Sequence, residues 1–360
     1  MSVLGSETLF FRQNTFVLIF LQIKLLRYYS LQTKKLKVAV VGVGKMGLVH
    51  ASIFSTLPNV ELVALCDKSN LIRKFCSKLL SGVQVVDDIE KMSDMDIDIV
   101  CVTTPIPSHY SIINSLMSAK AVPNIFVEKT LSSSYSDSEK LCELARNSGK
   151  VNMVGYMKRF AVTFKKAKEL VSQGAIGSMH SFEAHAYSSD FYGLSNPSQA
   201  SSSRGGVLSD LGSHVIDLSL WVFGDFQVQT EKINAGDIQN TVQFNVRSDS
   251  SIEGFFDISW CKEGYHVPEF GLSINGSKGK ITVDDDAVRL ESVSGQSFQW
   301  YRHDLNDNVG FLLGAPEYFR EDAFFVESIL NGGKAEPSFD TASKVDYVIG
   351  KVFDGAEKNE

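Results

Sequence analysis

Near the start of the chain, Val38-Ala39-Val40-Val41-Gly42-Val43-Gly44-Lys45-Met46-Gly47 breaks a buried-strand run with G-x-G-x-x-G and continues into a helical pattern. This order aims backbone N–H groups and the positive end of a helix dipole at one point, where a pyrophosphate can sit. Gly42 permits the tight turn, Gly44 lets phosphates approach the backbone, and Gly47 lets the helix close on the strand. A second apolar run, Val60 to Cys66, ends in Asp67, about 25 residues beyond Gly42. That is near the spacing of an acidic ligand for the adenosine ribose, and an Asp there favours NAD over NADP. The plainer alternative for Asp67 is a strand-end turn residue. Lys68 and Arg73 are close enough to tolerate a 2′-phosphate, so NADP stays open.

With 360 residues the chain exceeds the usual size of a single core, so two domains are expected. A net charge of −7 argues against a nucleic-acid or anionic-membrane partner. Cys66, Cys76, Cys101, Cys142 and Cys261 are odd in number and lack C-x-x-C spacing, which reads as reduced thiols in a cytoplasmic protein with no metal site. The first 36 residues do not fit the rest: Phe16 to Leu21 is apolar but is followed by Gln22 and Lys24. The run is far short of the roughly 18 residues of a spanning helix, and no small-residue cleavage site follows. A poorly ordered extension is expected, from an upstream start codon assigned in place of the native one; an amphipathic surface helix is the alternative.

From residue 37 to 155 short apolar runs alternate with longer helical ones, the pattern of a doubly wound parallel sheet. Strands are predicted at 37–42, 60–66, 83–86, 97–103, 123–128 and 150–155, with helices at 45–57, 69–80, 107–119 and 134–148. Residues 156–356 read as an α+β domain on a mostly antiparallel sheet. Helices are predicted there at 161–173, 208–222, 315–331 and 340–354. Strands are predicted at 179–187, 227–233, 240–247, 252–260, 269–275, 279–284 and 287–292. Asn275-Gly276 and Gly279 mark hairpin turns.

Two further stretches can carry chemistry. In Gly205 to Asp217, Asp210 and His214 are four apart and share a helix face. An imidazole is a natural proton acceptor for an alcohol oxidised near neutral pH, and a neighbouring carboxylate can hold its ring. The alternative is an i, i+4 pair that only supports the helix, with Asp217 making a structural hydrogen bond. In Ile125 to Thr130 a strand ends in Glu128 and Lys129 at the carboxyl edge of the sheet, where open α/β folds bind ligands. A Lys there can stabilise an alkoxide; a solvated strand end is the alternative.

Together with Gly155-Tyr156-Met157-Lys158-Arg159-Phe160, these stretches resemble the glucose-fructose oxidoreductase, inositol dehydrogenase and rhizopine catabolism family, Gfo/Idh/MocA, over nearly everything from Lys37 to Ala356. The resemblance implies a Rossmann domain followed by an α+β domain whose open sheet forms a dimer or tetramer interface. It also implies reversible hydride transfer between a nicotinamide and a hydroxyl of a sugar, cyclitol or sugar derivative. By position His214 becomes the general acid/base, Lys129 assists the proton, and Asp210 orients substrate and imidazole. Glu128 approaches the nicotinamide, Tyr156 and Arg159 line the substrate side, and Thr103, Thr104 and Pro105 with His109 border the cofactor beside Lys45 and Met46. His109 is equally a packed helix residue. Thr130 stands where the family has Pro, so Lys129 is open to a different orientation, and Met157 stands where the family has a polar residue.

The loop Ser188 to Gly206, with Phe191, Tyr192 and Arg204, reads as a cover over the pocket or a Ser-rich linker. Arg204 there suits a uronate or nucleotide sugar. Two other classes compete with the dehydrogenase: a non-catalytic NAD-binding sensor, against which Lys129, Asp210 and His214 all speak, and a reductase of a dihydrodiol or tetrapyrrole.

Overall fold

A computed structural model describes residues 35–119, 121–193, 205–310 and 315–359. The expectations for residues 1–34 and for most of the Ser-rich loop, Arg204 included, fall outside the described residues.

Six parallel strands form the first sheet: β1 (Leu36–Val41), β2 (Val60–Cys66), β3 (Gln84–Val86), β4 (Ile99–Val102), β5 (Asn124–Glu128) and β6 (Asn152–Gly155). Their order is β3-β2-β1-β4-β5-β6, which puts the chain reversal of a doubly wound fold between β1 and β4. Crossovers run through α1 (Lys45–Thr56), α2 (Asn70–Leu79), α3 (His109–Met117) and α4 (Tyr135–Ser148). β1, β4 and β5 are buried on both faces, which is why their sequences are continuous apolar runs rather than alternating ones.

After α5 (Val162–Ser172) the second sheet begins with β7 (Met179–Tyr187). β8 (Phe226–Asp237), β9 (Thr241–Ser248), β10 (Glu253–Ser259), β11 (Glu269–Gly276), β12 (Gly279–Val283), β13 (Ala287–Ser292) and β14 (Ser297–Tyr301) complete it. The order is β14-β13-β12-β11-β7-β10-β9-β8, antiparallel except for the β7–β10 pair. The edge strand β14 is absent from the sequence reading: its residues are mostly exposed, so its apolar pattern is weak. One face of this sheet packs under α6 (Ser213–Phe223), where Phe182 stacks on Phe223 at 4.0 Å and Phe244 on Phe256 at 4.6 Å.

The final helices tie the two sheets together. α7 (Pro316–Leu330) packs on α1 and on the 157–160 turn, while α8 (Phe339–Asn359) lies against α4 and β8. Among the described residues no helix is long and apolar enough to cross a membrane. Among the described residues the five cysteines form no disulfide, four of them being buried and Cys261 half-buried.

Candidate active site

β1, β2, β4 and β5 all end at the same edge of the parallel sheet, and the residues that follow them line one cavity of about 1070 Å³. Gly42 has φ +90°, a conformation glycine adopts without strain. A Cβ on Gly47 would stand 2.0 Å from the Gly42 carbonyl oxygen, so only glycine lets α1 approach β1 this closely. A Cβ on Gly44 would meet no protein atom within 4 Å, and no side chain caps the α1 N-terminus there. The first-turn N–H groups of α1 therefore face open cavity beside Lys45 and Met46, a cradle that fits a pyrophosphate.

Asp67 lines the same cavity at the end of β2. Its two carboxylate oxygens accept from the backbone N–H groups of Val43 and Ser69, each at 2.7 Å. This ties it to the glycine turn and leaves lone pairs for ribose hydroxyls. Arg73 donates to the carbonyls of Asp67 and Lys68 at 2.8 and 2.7 Å, so this cation already serves its own loop. Thr103, Thr104 and Pro105 follow β4 along the wall, and Thr103 donates to the Gly42 carbonyl at 2.5 Å.

At the other end of the cavity stand Glu128 and Lys129 from β5 and Asp210 and His214 from the second unit. The Lys129 amine donates to the Asp210 carboxylate and to the Asp210 carbonyl, both at 2.8 Å. The Lys129–Thr130 peptide bond is cis. Residues 208–212 wind as a π-helical turn before α6 begins at Ser213, where the sequence reading has a plain α-helix. The wider turn still sets Asp210 and His214 on one wall.

The Asp210 carboxylate is held by Lys129; the expectation that it orients the imidazole is not matched by a hydrogen bond to His214. The His214 Nδ1 has no hydrogen-bond partner among the described residues. Burial drives the His214 proton affinity well below the ordinary value, and the Lys129 and Lys158 charges push the same way. The ring rests edge-on against Phe270 at 5.0 Å and Tyr156 at 6.2 Å, a setting for a neutral base.

Three expected site residues stand elsewhere. Tyr156 is fully buried behind His214 and does not line the cavity. Arg159 is buried in a two-pronged ion pair with Asp217 at 2.6 and 2.7 Å, which gives Asp217 its structural role and takes Arg159 away from the substrate side. Arg159 is drawn inward by Asp217 on α6, and Tyr156 packs its ring edge-on against His214 of the same helix. His109 is the packed alternative: its two ring nitrogens lie 2.8 Å from the carbonyls of Thr130 and Thr104 and bridge the cavity wall from behind. Met157, Phe270 and Tyr318 do line the cavity. The latter two were missed because β11 and α7 are remote in sequence.

His50 was missed as well. It sits fully buried on α1 between Glu128, 3.0 Å from its Nε2, and Asp322, 2.9 Å from its Nδ1. A histidine among Val49, Ala51, Ile53 and Phe54 was the available signal, since an ionisable group on an apolar helix face needs partners.

Comparisons with known proteins agree with this architecture. The NAD-binding Rossmann-fold model of the GFO/IDH/MocA oxidoreductase family matches residues 36–156, and its C-terminal domain model matches residues 164–282. Myo-inositol 2-dehydrogenase of Thermotoga maritima is 25% identical over 261 residues, 69% of this chain and 75% of that protein. scyllo-Inositol 2-dehydrogenase (NAD(+)) of Bacillus subtilis is 26% identical over 283 residues, 73% and 79% of the two chains. A levoglucosan dehydrogenase solved in complex with NADH superposes with a TM-score of 0.79 at 19% identity, covering 90% of this chain and 98% of that one. With both domain models matched in order over most of its length, the chain belongs to the GFO/IDH/MocA family of oxidoreductases.

Proposed function

We propose that this protein is an NAD-dependent dehydrogenase acting reversibly on a secondary hydroxyl of a sugar, cyclitol or sugar derivative. The observation that carries the proposal is that Lys129, Asp210 and His214 open into the cavity lined by the glycine turn and Asp67. In this reading residues 37–155 hold the dinucleotide, through Gly42, Gly44, Lys45, Met46, Asp67 and Thr103 to Pro105, and residues 156–356 supply the substrate side. The relatives' inositol and levoglucosan activities support the substrate class. The reading extends to a cytoplasmic homo-oligomer assembled through the second sheet.

When bound, the nicotinamide supplies the hydride acceptor. The chain's own residues manage the proton: His214, neutral in its buried setting, takes it from the substrate hydroxyl as the C–H bond is broken. The Lys129 ammonium, fixed on Asp210, stabilises the negative charge that grows on the substrate oxygen. Phe270 and Tyr318 give the cavity apolar walls suited to the C–H faces of a ring.

The test is NADH formation with NAD and a panel of cyclitols and sugars, and the reverse reaction with the matching ketones. Tight NADH binding without turnover on any of them would reject the dehydrogenase in favour of a dinucleotide sensor.

Two consequences follow from the geometry. Gly44→Ala should leave the folded state about as stable as wild type, since the added Cβ meets no protein atom within 4 Å, yet weaken NADH binding by about tenfold or more. Gly47→Ala should instead cost about 1–3 kcal/mol of stability by forcing α1 off β1. Fluorescence titration and urea unfolding of both variants separate the two effects.

The lowered proton affinity of His214 also fixes a pH profile. The imidazole is neutral, and competent as a base, at every pH above its lowered pKa. Alcohol oxidation should therefore hold level through neutrality and fall with a single proton only below the ordinary histidine value of 6.5. An acid limb centred above 6.5 in kcat/KM would remove His214 from the role.

A further inference from the structure

The Glu128–Lys129 segment is held from behind by a chain of buried charges that the proposed reaction does not use. His50 on α1 faces the two Asp322 oxygens of α7 at 2.9 and 3.0 Å through Nδ1, and Glu128 Oε1 at 3.0 Å through Nε2. A carboxylate faces each ring nitrogen, and although burial acts against it, the two together hold the proton affinity of the ring well above the ordinary value. Glu321, also on α7, is buried beside them with neither carboxylate oxygen partnered among the described residues, and burial raises its proton affinity strongly. The other oxygen of Glu128, Oε2, accepts the backbone N–H of Lys129 at 3.1 Å. One unbroken path of contacts thus runs from α7 through α1 to the peptide that carries the Lys129 amine.

We propose that His50 is a positioning residue: gripped between Asp322 and Glu128, it fixes the Glu128 carboxylate and, through the Lys129 N–H, the seat of the Lys129 amine on Asp210. This rests on the reading of Lys129 as the residue that meets the substrate oxygen. The physical reason is specific to three elements meeting at one ring. Glu128 is the last residue of β5, paired with Gly155 of β6, and its side chain adds a second hold on the backbone that leaves the sheet, through the Lys129 N–H. An amine on a flexible four-carbon stem is placed by its backbone and by its terminal contacts together. Loosening the first leaves only the second.

The test needs no substrate. The rate at which Lys129 reacts with trinitrobenzenesulfonate is followed by peptide mass spectrometry in wild type, His50→Gln, Glu128→Gln and the double variant, each checked as folded by circular dichroism. Expected is a rise of at least threefold in each single variant, with the double variant reacting no faster than the faster single, because both changes break the same path. An unchanged rate in folded His50→Gln, within threefold, overturns the proposal, and so do effects that multiply in the double variant. Should His50→Gln fail to fold, Asp322→Asn keeps the ring and one hydrogen bond, and is judged by the same criteria. In any active enzyme His50→Gln should lose kcat while the NADH dissociation constant stays within threefold, since His50 lies behind the cavity and Asp67 and the glycine turn are untouched. A wild-type protein with no turnover would reject the dehydrogenase and leave the Lys129 labelling result standing on its own.

Discussion

The His214→Asn variant is expected to turn over about 10²- to 10⁴-fold more slowly than wild type, the usual contribution of a positioned general base, while binding NADH almost as well. The imidazole is a group on that wall whose chemistry suits a proton acceptor at neutral pH. It is 5% exposed, free of a hydrogen bond at Nδ1 among the described residues, and its proton affinity is lowered by burial and by two nearby lysines. An Asn of similar size keeps the packing against Phe270 and Tyr156 but cannot take the proton. Lys129→Met should act on the same step by removing the positive charge opposite the growing oxyanion, a loss of about 3–4 kcal/mol on the scale of a deleted oxyanion donor. It should also raise the His214 proton affinity, because one of the two charges that lower it is gone. The acid limb of the pH profile then moves upward. Since the two residues serve one transition state, the double variant should be little worse than the poorer single. Steady-state kinetics and NADH titration on the three proteins decide it: either single variant retaining wild-type kcat removes that residue from the mechanism.

Asp217→Ala should be the most damaging single change to stability outside the cores, at about 3–5 kcal/mol, the cost of leaving one member of a buried ion pair alone. Arg159 reaches Asp217 with two N–H groups, Nε at 2.7 Å and one terminal nitrogen at 2.6 Å, and both residues are almost completely buried. The guanidinium also lies over the Trp221 ring at 5.8 Å, so it stays beside an aromatic face in a buried setting when its carboxylate is removed. Because Asp217 shares α6 with His214, the pair pins that helix to the 157–160 turn. The double variant Arg159→Leu with Asp217→Leu, which removes both charges, should recover much of the loss. Urea unfolding reads both; a cost below about 1 kcal/mol in Asp217→Ala would show the pair to be incidental.

The linear order of the chain dictated much of this. The glycine turn, the acidic residue ending β2, the alternation of short apolar runs with amphipathic stretches and the strand-period pattern beyond residue 226 are local signals. Each follows from backbone sterics, helix dipoles and periodicity acting over a few residues. Lys129, Asp210 and His214 are marked by residue type and motif, and their meeting at one site is what the family resemblance implies. The tertiary structure decided what distance in sequence hides. It turned Tyr156 and Arg159 inward, made His109 a bridge between two carbonyls, and gave the Asp210 carboxylate to Lys129 rather than to the imidazole. It also brought His50, Glu128 and Asp322 together from positions 78 and 272 residues apart. Which partner a charged side chain finds depends on which groups share its low-dielectric surroundings, and that is fixed only when remote elements pack.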